Sequence, residues 1–315
     1  MKSNFKMDRK QIFQRLGTLA ALIILILVFS IISPDFRTGN NFISLLRQSS
    51  INGLIAFGMT GVILTGSIDL SVGSVLGLSA MLCASMIRAG VPAGFALLIA
   101  LALGLGMGAV SGLLVTKGRL QPFIATLVTM QIFRGLTLIY SGGKPISNIG
   151  GSAIIKGIRV GSFLKIPAPV WILLIVFAIY FFVLNNTTFG RKVYAVGSNQ
   201  DAAELTGVNS SKVKIIIYAV SGLLSALAGI ILLSRLGSAQ PTLGEGYEMD
   251  AIAATVLGGT SMNGGRGKLY GTLIGVLIIA VLSNGLNILG VSSYSQDVVK
   301  GVVILLAVWF ERDSK

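Results

Sequence analysis

The sequence contains no histidine, a single cysteine and few charged residues, and these shortages exclude several classes of protein. Without histidine, the usual general base of enzymes at neutral pH is missing, and a zinc site of histidine and cysteine cannot form. The one cysteine, Cys83, excludes a disulfide within the chain and is expected to be a small packing residue. We therefore expect no metal site, no cofactor bound by this chain and no enzymatic activity.

The scarcity of charged residues indicates whether the surface of the protein faces water or lipid. Charged residues make up 11% of the 315 residues, whereas soluble proteins carry about 25%. Hydrophobic residues make up 53% and form uncharged runs such as Leu16–Ile32 and Ala93–Thr116. A helix of about 20 apolar residues crosses the hydrocarbon layer of a bilayer. The sequence therefore predicts an all-α, multi-pass membrane protein surrounded by lipid.

The apolar runs predict ten transmembrane helices. The predicted spans are 16–32, 49–66, 74–88, 93–116, 121–140, 169–185, 214–234, 250–262, 269–289 and 295–310. Residues 1–15 are interpreted as a tail, 16–310 as the transmembrane part, and 1–315 as a single domain. The first run is read as a retained helix rather than a signal peptide, because no small-residue cleavage site follows it.

The distribution of basic residues predicts the orientation. The net charge of +14 lies in short connections rather than on a continuous stripe, so nucleic-acid binding is not expected. Lysine and arginine are enriched in cytoplasmic connections. With the basic N-terminus in the cytoplasm, most basic connections and the C-terminus also lie there. The connection 141–168 is an exception, since it is predicted outside but contains four basic residues.

Two polar, glycine-rich segments, Gly66–Ser74 and Gly258–Gly267, interrupt the apolar runs. In transporters such interruptions often lie at the solute path. The candidate residues for the path or the helix breaks are Ser67, Asp69, Ser71 and Asn263. Aligning Asp69 with Asn263 also matches Gly73 with Gly267 and Gly77 with Gly271, which hints at an internal repeat. Asp69 is predicted mainly to cap the next helix, with direct contact to a solute or ion as the alternative.

Two features of the apolar runs have a structural and a functional interpretation. Gly104, Gly108 and Gly112 share one helix face, which favours close helix packing over the lining of a solute path. Arg134 is predicted to reach the interface or to pair with a backbone carbonyl.

The chain lacks a motif for using ATP. Gly142–Pro145 and Gly265–Leu269 are glycine-rich and contain lysine, but they lack the spacing of a phosphate-binding loop. Uphill transport would therefore need an ion gradient or another subunit. An ion symporter is disfavoured, since Asp69 is the one plausible carboxylate at membrane depth. A self-sufficient transporter or channel, and a membrane enzyme, remain alternatives.

The longest connection predicted to be cytoplasmic is 186–213. Within it, Ser198–Asp201 offers an N-cap for a short helix over 202–206, which ends at Gly207. A short helix held at the membrane surface is of the kind that docks into another protein, with a solvated connection as the alternative. On the outer side, Glu245, Glu248 and Asp250 form an acidic cluster that either docks a partner or is a solvated loop or helix cap.

Several segments together resemble a known family. Gly66–Ser74 resembles the Gly-Gly-Ile-Asp-Leu-Ser-Val-Gly signature of sugar-importing ABC permeases, with Ser67 in place of a glycine. The departure at Ser67 bears on the turn geometry there. The resemblance runs from about Ile51 to Trp309. Five further segments resemble the family, namely Phe123–Leu127, Ser238–Thr242, Asp250–Ala254, Leu257–Ser261 and Asn284–Ser293.

The resemblance implies a fold like that of type II ABC importer permeases, in a bacterial cytoplasmic membrane. It implies a homodimer of the permease, cytoplasmic ABC ATPase subunits that bind ATP and Mg²⁺, and an external sugar-binding protein. The implied cargo is ribose or a related monosaccharide. Because the coupling helix of related importers follows the sixth transmembrane helix, the ATPase-coupling residues are expected at Asn199, Ala202, Ala203, Glu204 and Gly207.

Overall fold

The computed structural model describes residues 9–149 and 151–312, and thirteen α-helices lie within them. The helices are α1 Arg9–Ile32, α2 Gly39–Leu64, α3 Val72–Arg88, α4 Ala93–Thr116, α5 Pro122–Ser141, α6 Ala153–Val160, α7 Ala168–Asn186, α8 Thr188–Ser198, α9 Gln200–Leu205, α10 Ser210–Leu236, α11 Tyr247–Leu257, α12 Leu269–Ile288 and α13 Ser293–Arg312. A 3-10 helix covers Asp35–Arg37.

Four two-residue strands form two antiparallel pairs. The strand β1 Ile146–Ser147 pairs with β4 Ser238–Ala239, and β2 Ser162–Phe163 pairs with β3 Ile166–Pro167. The first pair joins the connection after α5 to the end of α10. It therefore fixes two parts of the chain that are far apart in sequence at the end predicted to face outward.

The prediction of an all-α fold with about ten spanning helices is confirmed. Each of the ten predicted spans corresponds to one helix, and α6, α8 and α9 lie in the connections. Five helices, α4, α5, α7, α10 and α12, are long and apolar enough to cross a membrane. Large apolar side chains face outward, such as Ile24, Ile132 and Ile179, which are 57%, 51% and 60% exposed. This outer surface suits lipid rather than water.

Two helices begin well before their predicted starts. The helix α1 starts at Arg9, inside the segment interpreted as a tail, and α2 starts at Gly39 instead of residue 49. The start of α2 was not predicted because residues 39–48 include polar side chains, so the apolar run begins only after them. The hydroxyl of Thr38 accepts a hydrogen bond from the backbone N–H of Asn41 at 3.3 Å and caps this helix.

The predicted eighth span is displaced, and the connection 186–213 contains more structure than expected. The helix α11 covers Tyr247–Leu257 rather than 250–262, because the chain turns at Gly258 and at Gly259, whose φ is +81°. The connection contains the eleven-residue helix α8 in addition to the short helix that was predicted.

The helices α2 and α10 form the centre of the fold. Every residue of α2 from Ser49 to Leu64 is buried. A β-carbon on Gly104 would lie 2.7 Å from the Gly222 carbonyl oxygen of α10, and one on Gly112 would lie 2.9 Å from the Cα of Ile215. The prediction that the glycine face of α4 serves close helix packing is therefore confirmed.

Two helices, α3 and α11, begin beside each other after non-helical segments. Asp69, just before α3, contacts Ser221, which lies near the middle of α10. The carbonyl oxygens of Leu243 and Gly244, just before α11, lie against Gly77 and Gly73 in the first turns of α3. The two helices thus start close to each other. The segment before α3 is largely buried, whereas the segment before α11 combines buried residues such as Leu243 with exposed ones such as Glu245. Interrupted helices of this kind are typical of transporters.

Candidate functional site

The predicted coupling helix is present as α9. The side-chain oxygen of Asn199 accepts a hydrogen bond from the backbone N–H of Ala202 at 2.9 Å, which confirms the predicted N-cap. The helix ends at Gly207, whose φ of +84° favours glycine. Ala203 is buried, whereas Ala202 and Glu204 are exposed. One face of α9 therefore anchors the helix to the protein, and the other faces away from it.

Hydrogen bonds hold Glu204 in place. Its carboxylate accepts from the hydroxyl of Ser210 and from the side-chain amide of Gln200, the latter at 3.1 Å. These two bonds, the one from Ser210 first, hold the pKa of Glu204 below its usual value. Because Ser210 opens α10, the carboxylate ties the end of α9 to the start of the next helix.

The exposed residue Leu205 was missed by the sequence reasoning. It is the last residue of α9, and 90% of its surface is exposed. If a partner protein covers this leucine, its apolar surface is removed from water, which is favourable for binding. The sequence did contain a signal for it, because Leu205 is a large apolar residue directly after Glu204 in the predicted coupling helix.

A cavity of about 370 Å³ lies beside α9. It separates the connection between α4 and α5 from the start of α10, and its basic residues are Arg119 and Lys214. Lys214 donates a hydrogen bond to the Gln200 side chain at 2.8 Å. The cavity therefore adds a polar, basic recess to the exposed tip of α9 on the same face of the protein.

Asp69 is buried within a set of hydroxyl groups. One carboxylate oxygen accepts from the backbone N–H of Ser71 at 3.0 Å and from its hydroxyl at 2.6 Å, and the other accepts from the hydroxyl of Ser221 at 3.1 Å. Asp69 thus holds the turn before α3 and connects it to α10. The predicted capping role needs correction in detail, because Asp69 bonds to Ser71, the residue before the helix, rather than to the first helical turn.

The other candidate residues of the two breaks have unlike surroundings. Ser67 and Ser71 are 2% and 0% exposed, whereas Asn263 is exposed. The two segments do touch, since the backbone N–H of Gly265 donates to the carbonyl of Leu64 at 3.0 Å. Asn263 therefore lies at a surface turn near the first break and does not repeat the buried environment of Asp69.

The three acidic residues of the predicted outer cluster face different neighbours. Glu245 has 59% of its side chain exposed and lies 3.9 Å from Arg134. Asp250 has 14% of its side chain exposed and pairs with Lys300 of α13 at 3.1 Å. The Glu248 carboxylate lies against Gly73, at the point where α11 and α3 begin.

Arg134 connects α5 to the segment that precedes α11. Its guanidinium donates to the carbonyl oxygens of Pro241 at 3.0 Å and Leu243 at 2.8 Å. This confirms the predicted pairing with backbone carbonyls. Because Pro241 and Leu243 are buried and lie outside a helix, Arg134 supplies hydrogen bonds that a helix would otherwise provide.

Residues 9–149 and 151–312 contain no group of three or more histidine, cysteine, aspartate or glutamate residues that is close enough to hold a metal ion. The groups that converge in the interior are instead hydroxyls, backbone carbonyls and a few paired charges. The apolar outer surface and the two helices that follow non-helical segments together define a multi-pass membrane transport protein.

Sequence comparison identifies the family. The family described as "Branched-chain amino acid transport system / permease component" matches residues 41–308, and the chain belongs to this family. It is 54% identical over 301 residues to a ribose import permease protein of Bacillus subtilis, which covers 96% of this chain and 94% of the relative.

Relatives from Escherichia coli K12 extend the comparison. A ribose import permease protein is 53% identical, with 92% of this chain and 91% of the relative covered. The L-arabinose transport system permease protein is 39% identical, with 99% and 94% covered. No solved structure matches the chain at a significant level. The chain is therefore a multi-pass permease of the cytoplasmic membrane.

Proposed function

We propose that this chain is the membrane-spanning permease subunit of an ATP-driven importer that translocates ribose or a related monosaccharide. The observation that carries the proposal is the similarity over nearly the whole chain to ribose import permeases. Identity is 54% to the relative from B. subtilis and 39% to the L-arabinose permease, which favours ribose over arabinose as the cargo.

Energy is supplied by separate cytoplasmic ABC ATPase subunits, which bind ATP and Mg²⁺. The glycine-rich segments of this chain lack the spacing of a phosphate-binding loop. The ATPase docks on α9, with Asn199, Ala202, Ala203, Glu204 and Gly207 shaping the helix and Leu205 inserted into a groove of the partner. The basic recess beside α9 offers a second contact for acidic residues of the ATPase.

Two copies of the permease form the translocation path between them. The centre of a single copy is filled by α2, whose residues from Ser49 to Leu64 are all buried. A sugar therefore passes more easily along the interface of two copies than through one. Both termini face the cytoplasm in this arrangement, as the basic connections indicate.

An external sugar-binding protein delivers the cargo to the opposite face. Glu245 is the residue that we propose for docking it, since Glu248 and Asp250 are engaged in contacts within the protein. Charge reversal by Glu245→Lys is expected to weaken the stimulation of ATP hydrolysis by the binding protein, and more strongly at low salt. An unchanged stimulation curve at both salt concentrations would argue against docking at this position.

Reconstitution tests the overall function. The permease is placed in liposomes with its ATPase and its ribose-loaded binding protein, and uptake of labelled ribose is measured with and without ATP. Uptake is expected to require ATP and both partners. Xylose, arabinose and allose are added as competitors to test the preference for ribose. Accumulation of ribose by the permease alone would refute the proposal, as would the absence of ATP-dependent uptake in the full system.

A leucine pair tests the docking of α9. The change Leu205→Asp introduces a charge at the tip of α9 and is expected to abolish co-purification with the ATPase while the permease stays in the membrane. Leu164→Asp is the matched control, because Leu164 is 73% exposed and lies between β2 and β3, far from α9. Equal ATPase recovery with both variants would reject α9 as the docking element.

A further inference from the structure

Three segments of backbone meet at the end of the protein that contains α9. They are the end of α2, the loop between α11 and α12, and the end of α8, and we call residues 64–66, 197–198 and 264–265 the inner junction. The backbone N–H of Gly265 donates to the Leu64 carbonyl at 3.0 Å. A β-carbon on Gly197 would lie 2.6 Å from the nitrogen of Gly265 and would overlap the Leu64 carbonyl oxygen.

Most contacts within the inner junction are between backbones, with the Ser198 hydroxyl as a side-chain contact to Gly265. A β-carbon on Gly264 would lie 2.7 Å from the nitrogen of Gly66 and 2.9 Å from the carbonyl oxygen of Gly197, and one on Gly265 would lie 2.7 Å from the Cα of Ser198. Packed backbone has no rotamers with which to absorb a displacement. A shift of α8 at this point must therefore move the other two segments.

Tyr194 joins α8 to the same loop at a second point. Its hydroxyl donates a hydrogen bond to the carbonyl oxygen of Gly267 at 3.0 Å. Tyr194 and Ser198 are four residues apart in α8, so they lie on one face of the helix. The loop between α11 and α12 is thus held by α8 at both Ser198 and Tyr194, which prevents α8 from rotating independently of it.

Nothing flexible separates α8 from α9. Asn199 is the single residue between them, and it is both the C-cap of α8 and the N-cap of α9. A force applied to α9 therefore reaches α8 without a linker. Beyond the inner junction, the chain continues on one side to Asp69 and α3 and on the other side to α11 and α12.

We propose that Tyr194 is a positioning residue that couples movement of α9 to the segment before α3 and to the loop between α11 and α12. The hydrogen bond to Gly267 makes α8 and the loop between α11 and α12 move as one body, and the inner junction passes that movement to the end of α2. This proposal rests on the proposed function, because it assumes that an ATPase drives α9.

The test is the ratio of sugar imported to ATP hydrolysed in the reconstituted importer. Tyr194→Phe keeps the ring and removes the hydroxyl. The ratio is expected to fall about fivefold, the factor by which losing one net hydrogen bond shifts an equilibrium. Tyr140→Phe is the matched control, since it removes a tyrosine hydroxyl bonded at 2.6 Å to Ser85, near the opposite end of the protein. Its ratio is expected to equal that of the unaltered protein.

Several outcomes would overturn the inference. One is an unchanged ratio for Tyr194→Phe, whether both rates stay normal or fall together; a joint fall would indicate weaker ATPase docking. Co-purification with the ATPase is measured in parallel to separate these. Failure of Tyr194→Phe to fold would make the residue structural and would equally overturn the proposal. Failure of the proposed function itself is distinguishable, because the unaltered protein would then show no ATP-dependent uptake.

Discussion

The contact between α4 and α10 gives a quantitative prediction about stability. A β-carbon on Gly108 would overlap the carbonyl oxygen of Tyr218 and would lie 2.9 Å from its carbonyl carbon and 3.0 Å from the nitrogen of Gly222. Favourable contacts between carbon atoms occur at about 3.5–4.0 Å. The change Gly108→Ala therefore requires the two helices to separate by roughly 1 Å or more, and the atoms in the way belong to backbone that cannot rotate aside.

The neighbouring glycine supplies a matched control. A β-carbon on Gly106 would meet nothing within 4 Å, so Gly106→Ala adds a methyl group on the open face of the same helix. Both changes gain the same helix propensity, roughly 0.5–1 kcal/mol in water. The difference between the two variants therefore isolates the overpacking cost, which we place near the upper end of about 1–3 kcal/mol.

The assay is the thermal stability of the two purified variants in detergent, followed as the fraction that remains monodisperse after heating. Gly108→Ala is expected to melt several degrees below Gly106→Ala, at about 2–4 °C per kcal/mol. Equal melting temperatures would refute the reasoning, because they would mean that α4 and α10 separate freely and that the close approach contributes nothing to stability.

Three further changes test other contacts. Asp69→Leu leaves buried donors without an acceptor, at about 1–3 kcal/mol each, so it should lower the melting temperature more than Asp69→Asn does. Lys300→Met removes the partner of Asp250 and should cost about 1–3 kcal/mol, discounted for partial exposure; the loss should largely disappear when Asp250→Asn is added. The lowered pKa of Glu204 means that its hydrogen bonds stabilise α9 above the usual glutamate pKa of about 4.3 and are lost as the pH falls through the lowered value. Hydrogen exchange in α9 should therefore be faster in Glu204→Gln than in the unaltered protein at neutral pH, and this difference should vanish at low pH.

Much of the fold was predictable from local sequence, because membrane helices are long and their apolar runs are nearly uncharged. The N-cap at Asn199 and the end of the short helix at Gly207 were also predictable, because a cap depends on neighbours within a few residues. The sequence predicted that Arg134 could pair with a backbone carbonyl, but not which one, because a buried guanidinium needs hydrogen-bond acceptors. In each case the physical cause lies within one helix or in one side chain.

The remainder depends on contacts between distant parts of the chain. Asp69 is 152 residues from Ser221 in sequence, so no local pattern indicates that the turn before α3 is held in the middle of α10. Likewise, the partner of Asp250 is Lys300, on a different helix. The three acidic residues of the cluster are close together in the sequence, but folding directs their carboxylates to three different neighbours.

The segment between α2 and α3 is constrained differently at its two ends. At Leu64 it is held by backbone contacts of the inner junction, and at Asp69 it is held by hydrogen bonds to Ser221 of α10. Because α10 is the next helix after α9 and Glu204 bonds to its first residue, the ATPase contact proposed at α9 would act on both ends of this segment. A push on α9 that moves α8 and α10 together leaves this segment unstrained, whereas a push that separates them must bend residues 65–71. The relative movement of α8 and α10, rather than the movement of either helix alone, is therefore what would displace the buried start of α3.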